Sequence, residues 1–269
     1  MTGTTSADPR LWLRRWHALP APRLRLVCFP HAGGAPSFYR GWQDRLPADV
    51  ELSAVCYPGR QNRINEPPID RMEPLADHVC RALESWTDRP LALFGHSMGA
   101  VVAYEVAVRL VEHHGIRPAA LLVSAHAAPH LCAGDARTAP LDDGELAELA
   151  AAGDPVLRCS PELMDLVMPA LRADHDLLHA YRPAHVPRIA VPITGYLGAD
   201  DPRVDHEEMR AWNRVADAGF ELRTFPGDHF YLAGAEEALV ADIADRLGAV
   251  RAARPGGPSA ARVEEVHRS

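Results

Sequence analysis

A serine stands between two glycines in the pentapeptide GHSMG, residues 95–99. A short apolar run at residues 91–94 precedes it, and a run with helical spacing follows from Val101. A strand and a helix must therefore join in a very tight turn, with Ser97 exposed on a strained backbone at its apex. This arrangement predicts a nucleophile that attacks a carbonyl group. The alternative is a plain turn in which the serine only caps the helix; His96 is expected to pack beside the turn.

A serine hydroxyl needs a general base, and the base needs an acid that orients it. In chains with this turn the acid follows the serine and the histidine comes last. The stretch FPGDHFYL (225–232) offers His229 as the base, and the stretch GYLGADDPRV (195–204) offers Asp200 and Asp201. We favour Asp201, because the following Pro202 restricts it to an extended backbone suited to projecting from a turn. Asp200 remains the alternative.

Attack on a carbonyl creates an oxyanion, which two backbone N–H groups should meet. One is expected from Met98, directly after the serine. The other is expected from the loop FPHAGGAPSFY (29–39), whose small residues let main-chain amides approach closely. We choose Ala32 as this second donor. The alternative is that the glycines of this loop merely form a turn.

The elements that must position these residues alternate between apolar β-type runs and helical patterns. Strands are predicted at residues 24–29, 51–57, 91–95, 119–125, 192–197 and 220–225. Helices are predicted at residues 74–86, 97–115, 205–216 and 234–248, with Gly115 as a stop signal. This alternation predicts an α/β fold with a mostly parallel central sheet and helices on both faces. The candidate loops would then open at one edge of the sheet.

Residues 126–187 interrupt the alternation, because they hold no convincing strand. Residues 141–151 have helical spacing, and Ser160 with Pro161 predicts the N-cap and first turn of a second helix, kinked at Pro169. A helical insertion between core strands predicts a lid over the site. The alternative is an extra helical layer that gates nothing.

The chain has 269 residues, of which 47% are hydrophobic and 24% are charged, as is usual for globular proteins. We expect one domain over residues 11–251, with disordered ends at residues 1–10 and 252–269, which are polar, small or Gly/Pro-rich. The cysteines number five, without a C-x-x-C pair, which disfavours a disulfide framework or a zinc site.

The formal net charge of −8 disfavours binding to nucleic acid. No apolar run approaches the roughly 20 residues of a membrane helix, and residues 1–16 lack a signal-peptide core. We expect a cytoplasmic monomer that binds neither a membrane nor a nucleic acid. The arginines among residues 10–25 predict a solvated basic face or a patch for an acidic protein partner.

Several motifs together resemble the stand-alone type II thioesterases that accompany modular polyketide synthases and nonribosomal peptide synthetases. The matching stretches are FPHAGG (29–34), YPGRQNRINEPP (57–68), LFGHSMGAVVAYE (93–105), PALRADHDLLHAY (169–181), LGADDPRV (197–204) and FPGDHFYL (225–232). GHSMGA alone is shared with many esterases, whereas its combination with PHAGG, PGR and ALRAD is specific. Residues 148–157 depart from the family, because they lack a Gly-Gly-Thr-Pro-like element; the C-terminal tail matches nothing in it.

The resemblance implies an α/β-hydrolase fold with a flexible helical lid and a triad of Ser97, Asp201 and His229. It implies hydrolysis of acyl groups from the phosphopantetheine arm of acyl or peptidyl carrier proteins, usually as editing of aberrant or stalled units. A thiol leaves easily, so neither a metal nor a cofactor is expected. The alternatives are a dedicated chain-releasing thioesterase, a carboxylesterase, or a non-catalytic scaffold, against which the complete Ser, Asp and His set argues.

Overall fold

The computed structural model describes residues 9–132, 141–153 and 155–253. Its strands are β1 (Leu13–Arg14), β2 (Leu24–Phe29), β3 (Val50–Val55), β4 (Leu91–His96), β5 (Ala120–Ser124), β6 (Ile193–Gly198) and β7 (Phe220–Phe225). They form one sheet in the order β1-β3-β2-β4-β5-β6-β7. Every neighbouring pair is parallel except β1 with β3. The predicted α/β class with a mostly parallel sheet is confirmed.

The α-helices are α1 (Pro9–Trp12), α2 (Met72–Glu84), α3 (Met98–His114), α4 (Asp143–Gly153), α5 (Pro155–Arg158), α6 (Pro161–Ala180), α7 (His206–Arg210), α8 (Tyr231–Gly234) and α9 (Glu236–Ala253). Short 3₁₀ helices lie at Pro36–Arg45, Gln61–Arg63, Pro129–Leu131 and Ala211–Val215. The helix predicted at 205–216 is thus α7 followed by a 3₁₀ segment. None of the described helices is long and apolar enough to cross a membrane.

The sheet is covered on both faces, because successive side chains of a strand point to opposite sides. In β2, Val27 and Phe29 pack in the core that contains α2 and α3. Leu26 and Cys28 of the same strand pack in the other core, with α9. Every residue of β4, β5 and β6 is buried, which explains why these strands are continuous apolar runs in the sequence.

Helix boundaries largely follow the predicted signals. Gly115 ends α3 in a left-handed conformation with φ 64°, and Ile116 donates its N–H to the Leu110 carbonyl. Ser160 stands at the N-cap of α6 in extended backbone and Pro161 lies in its first turn, as predicted, although the Ser160 side chain makes no capping hydrogen bond. Helix α6 continues as α-helix through Pro169.

The predicted lid region contains α4, α5 and α6, and no strand among its described residues. A small hydrophobic cluster joins these helices to one another and to Ala32; its buried members are Leu146, Ala150, Met168 and Leu171. The later part of α6 belongs to the main core instead, through Leu177. The predicted disordered ends fall outside the described residues, apart from residues 9–10 and 252–253, which lie in α1 and α9.

Two arginines of the basic N-terminal segment form ion pairs with a buried glutamate of the same chain. Glu51 is completely buried, and its carboxylate pairs with Arg25 at 3.1 Å and with Arg15 at 3.3 Å. The Arg25 guanidinium also lies over the Trp86 ring, 5.0 Å from its centroid. The buried carboxylate of Glu51 therefore neutralises part of the positive charge of residues 10–25.

Candidate active site

The turn between β4 and α3 holds Ser97 at φ 53° and ψ −122°. A non-glycine residue at positive φ costs of the order of 1–3 kcal/mol, so the surrounding structure must hold it there. The Ser97 N–H donates to the Ser124 carbonyl at 2.8 Å, and the Ala100 N–H donates to the Ser97 carbonyl at 2.9 Å. The neighbouring strand and the first turn of α3 thus fix the serine backbone.

The flanking glycines permit this turn by their lack of a side chain. A Cβ on Gly95 would lie 2.0 Å from the Gly99 carbonyl oxygen, and a Cβ on Gly99 would lie 2.0 Å from that of Phe29. Both distances are far inside van der Waals contact. Glycine at these two positions lets β2, β4 and α3 approach at one point, directly beneath the serine.

The structure brings Ser97, His229 and Asp201 together, although they come from three separate loops. Nε2 of His229 lies 3.1 Å from Oγ of Ser97, and its Nδ1 lies 2.9 Å from Oδ2 of Asp201. The other oxygen of Asp201 accepts the N–H groups of Arg203 at 2.8 Å and Val204 at 3.2 Å. A carboxylate only accepts, so the imidazole proton belongs on Nδ1, and Nε2 is left to accept from the serine hydroxyl.

Burial separates the two aspartates that the sequence left open. The side chain of Asp201 is completely buried beside His229, whereas Asp200 is exposed to solvent. Asp228, next to the histidine, instead accepts the Phe230 N–H at 2.8 Å. The structure therefore pairs His229 with Asp201 and with neither of the other two aspartates.

The two candidate oxyanion donors belong to the residue directly after Ser97 and to the loop after β2. Met98 is the first residue of α3, whose N-terminal end carries partial positive charge. Ala32 lies in the loop after β2, where the Gly33 N–H donates to Asp174 at 2.7 Å and the Gly34 N–H donates to the His31 carbonyl at 2.9 Å. Since those two amides are committed within the protein, Ala32 remains the candidate for the second donor.

A buried polar chain beneath the turn was not selected from the sequence. Nδ1 of His96 lies 2.9 Å from Oγ of Ser124, which lies 2.8 Å from the Tyr231 hydroxyl. The His96 ring is buried, with its centroid 5.2 Å from that of His229. Burial, and then the neighbouring His229, lower the pKa of His96 well below its usual value. His96 thus packs beside the turn, as expected, and stays neutral.

His31 forms a second neutral imidazole near the site. Its ring contacts Phe38 and Phe230, each with centroids 5.2 Å apart. Burial lowers the pKa of His31 to about 3, with smaller contributions from His229 and Arg60. Neither His31 nor His96 therefore opposes a positive charge on His229 at neutral pH. No local sequence pattern signals this, because the shift arises from packing between separate loops.

Two further buried charges lie beside the loop after β2, and neither was assigned a role from the sequence. Asp174 of α6 pairs with Arg60, which follows β3. Burial raises the pKa of Asp174, while Arg60 and then the Gly33 N–H act in the opposite direction. Arg60 lies in the stretch PGR and Asp174 in the stretch ALRAD, both of which support the family resemblance. That resemblance was the only feature of the sequence that pointed to these two residues.

A cavity of about 400 Å³ adjoins the loop after β2 and the helices α4 to α6. His31, Ala32 and Phe38 line it on one side, and Ala150, Leu157 and Val167 line it on the other. Its lining mixes these apolar side chains with the polar side chains of His31 and Ser37, and it borders the proposed oxyanion donor Ala32. The cavity can accommodate part of a substrate beside the loop that carries Ala32, and the serine, histidine and aspartate are arranged for acyl transfer.

Comparison with known proteins agrees with this chemistry. The model of the thioesterase domain family matches residues 24–247. The thioesterase PikA5 of Streptomyces venezuelae is 39% identical over 253 residues, which cover 92% of this chain and 89% of PikA5.

Solved structures extend the comparison to the fold. The type II thioesterase BorB from the borrelidin biosynthetic cluster has a TM-score of 0.81 at 38% identity, covering 91% of this chain and 100% of that one. The RedJ thioesterase of the prodiginine pathway in Streptomyces coelicolor has a TM-score of 0.76 at 39% identity, with 87% and 91% covered. The resemblance to type II thioesterases is confirmed, and the chain belongs to the thioesterase family, with the α/β-hydrolase fold.

Proposed function

We propose that this thioesterase hydrolyses acyl groups from the phosphopantetheine arm of acyl or peptidyl carrier proteins, and that it edits aberrant or stalled units in polyketide or nonribosomal peptide biosynthesis. The observation that carries the proposal is the contact of Ser97 Oγ with His229 Nε2 at 3.1 Å, continued by that of His229 Nδ1 with Asp201 at 2.9 Å. Membership of the thioesterase family and the similarity to BorB and RedJ support the substrate class.

In the first half-reaction, Ser97 Oγ attacks the thioester carbonyl carbon while Nε2 of His229 takes the hydroxyl proton. Asp201 orients the imidazole and stabilises the imidazolium. The N–H groups of Met98 and Ala32 stabilise the oxyanion of the tetrahedral intermediate. The carbon–sulfur bond then breaks, and the pantetheine thiol leaves with the proton from His229.

In the second half-reaction, water attacks the acyl-serine ester and His229 takes its proton. Collapse of this second intermediate breaks the ester bond, releases the carboxylic acid and returns the proton to Ser97 Oγ. The neutral side chains of His31 and His96 support this cycle, because they add no positive charge beside the imidazolium.

The same proposal covers the surroundings of the site. One α/β-hydrolase domain spans residues 11–251, and the helices within residues 126–187 act as its lid. The cavity beside Ala32, to which the lid contributes Ala150, Leu157 and Val167, accommodates part of the acyl substrate. The partner is a carrier protein rather than a nucleic acid or a membrane, and the enzyme acts as a cytoplasmic monomer.

The test uses purified protein and carrier proteins loaded with acyl-phosphopantetheine groups of varied length. We expect turnover by the wild type, and a loss of about 10³-fold or more in kcat for Ser97→Ala. Oxygen esters of the same acyl groups should be much poorer substrates; the reverse preference would indicate a carboxylesterase. Hydrolysis restricted to one full-length chain would indicate dedicated release, and a wild type without turnover would indicate a scaffold.

A further inference from the structure

A buried ion pair joins three segments that are distant in the sequence. Arg60 follows β3 and is 5% exposed, and Asp174 in α6 is 2% exposed. Nη2 of Arg60 donates to Oδ2 of Asp174, and the same oxygen accepts the Gly33 N–H at 2.7 Å. One carboxylate oxygen therefore connects the loop after β2, the loop after β3 and helix α6.

Around this oxygen, α6 packs closely against the loop after β2 and the loop after β3. Gly33 has φ +71°, and a Cβ there would lie 3.0 Å from Cδ1 of Leu171. Gly59 has φ +80°, and a Cβ there would lie 2.9 Å from Cγ of Pro68 and 3.4 Å from Cβ of Ala170 in α6. Both glycines take a left-handed backbone under one face of α6. The loops are thus shaped to receive this part of the helix, and Asp174 supplies the polar contact.

A contribution to folding stability does not by itself explain why Arg60 and Asp174 form a buried ion pair. Removing two charges from water costs several kcal/mol, and well-packed apolar residues often stabilise a fold equally well. What an apolar pair could not supply is an acceptor for the Gly33 N–H. That hydrogen bond fixes the peptide group that follows Ala32, the residue whose own N–H is the proposed oxyanion donor.

We propose that Asp174, held in place by Arg60, is a positioning residue that fixes the loop of residues 31–34 and so aims the Ala32 N–H at the oxyanion. The inference rests on the function proposed above. Oxyanion donors act mainly in the transition state, and a displacement of about 1 Å costs of the order of 10²-fold in rate. Loss of the Asp174 acceptor should therefore lower kcat and leave KM nearly unchanged.

The decisive comparison is between two double variants, Arg60→Met with Asp174→Asn and Arg60→Met with Asp174→Leu. Neither leaves a buried charge without a partner, and Asn and Leu are similar in size. They differ in whether residue 174 can accept the Gly33 N–H. We expect the Asn variant to stay within about 5-fold of the wild-type kcat and the Leu variant to lose about 30- to 100-fold, with KM within about 3-fold in both.

A second readout follows the oxyanion itself. When an acyl-pantetheine trifluoromethyl ketone binds, Ser97 Oγ bonds to its carbonyl carbon, the hydroxyl proton passes to His229 Nε2, and the carbonyl oxygen becomes an oxyanion. Its affinity should fall in the Leu variant by about the same factor as kcat, a change that mere loosening of the fold would not produce. If leucine prevents folding, as judged by circular dichroism, Asp174→Ala replaces it in the same Arg60→Met background.

A matched control breaks another contact of α6. Arg172 pairs with Asp143 of α4 at 2.7 and 2.8 Å on the exposed face of the helices. Arg172→Ala should change kcat by less than about 2-fold. Folded Asn and Leu variants with equal kcat would overturn the inference. A wild type without thioesterase activity, or an active Ser97→Ala, would instead overturn the proposed function itself.

Discussion

The carboxylate of Asp201 holds His229 from a completely buried position: Oδ2 lies 2.9 Å from the imidazole Nδ1, while Oδ1 accepts the backbone N–H groups of Arg203 and Val204. The backbone of the turn thus fixes the orientation of the carboxylate, and the carboxylate fixes the orientation of the histidine. Asp200, one residue earlier, is exposed.

The two aspartates provide a matched pair of substitutions. Asp201→Asn keeps the size of the side chain but removes its charge and favours the wrong imidazole tautomer, so kcat should fall by about 10²- to 10⁴-fold. Asp200→Asn should change kcat by less than about 3-fold. Steady-state kinetics on one acyl-carrier substrate measures both. The opposite ranking would transfer the orienting role to Asp200.

The close approach beneath the serine predicts a steric effect on stability. Gly99→Ala would place a methyl group 2.0 Å from the Phe29 carbonyl oxygen, so the free energy of unfolding should fall by about 3 kcal/mol or more. Gly248→Ala is the control, because its new Cβ meets nothing within 4 Å in α9. That change should raise stability by about 0.5–1 kcal/mol. Urea denaturation measures both, and equal midpoints would contradict the prediction.

Burial of His31 predicts a pH dependence of stability. Its pKa falls from 6.5 to about 3 in the folded protein, so between these values the unfolded chain binds a proton that the folded chain does not. Stability contributed in this way is present above pH 6.5 and is lost as the pH falls, by at most about 1.4 kcal/mol per pH unit. His31→Asn should therefore flatten the decline in unfolding free energy between pH 6.5 and 4.5.

A control for this measurement is Phe38→Leu, which alters the same ring contact without a titrating group. It should lower the free energy of unfolding by a similar amount at each pH. Denaturant titrations across the pH range provide the comparison. A decline in His31→Asn as steep as that of the wild type would show that His31 does not carry this proton uptake.

The helices of the proposed lid should differ in mobility along their length. Helices α4 and α5 and the start of α6 share a small cluster, and Val156, Leu163 and Leu166 expose apolar side chains there. Beyond Leu177 the chain joins the main core, and the Tyr181 hydroxyl donates to Glu105 at 2.6 Å. Local opening is easiest where few apolar contacts are buried.

Hydrogen exchange with mass spectrometry tests this gradient. Amides of residues 143–153 and 156–165 should exchange faster than those of residues 168–180, and a bound acyl-pantetheine mimic should slow the first group. Uniform protection over both ranges, with or without the mimic, would favour a rigid helical layer over a lid.

Local patterns explain which elements the sequence could predict. The strands from β2 to β7 are contiguous runs, and most are buried on both faces, so they stand out in the sequence. Strand β1 was missed because it has only two residues, which pair antiparallel with β3. The 3₁₀ helix at Pro36–Arg45 was missed because it follows directly on the glycine-containing loop HAGGAP (31–36) and was read as part of that loop.

Among the residues of the candidate site, too, those within a local motif could be predicted and those paired only by the fold could not. Ser97 and His229 could be identified because each lies in a short motif at the end of a strand. The link between Arg60 and Asp174 spans 114 positions of the chain, and no local pattern encodes such a pairing. The pKa of His31 likewise depends on side chains from several loops that only folding brings together.

The backbone at Ser97 has a consequence for which nucleophiles this turn can accept. At φ 53° an unbranched Cβ is tolerated, whereas the second substituent on the Cβ of threonine crowds the main chain in that conformation. Cysteine could therefore occupy the apex and threonine could not. The turn can therefore carry a thiol as its nucleophile in place of a hydroxyl. The secondary alcohol of threonine does not fit, because the backbone conformation leaves no room for its methyl group.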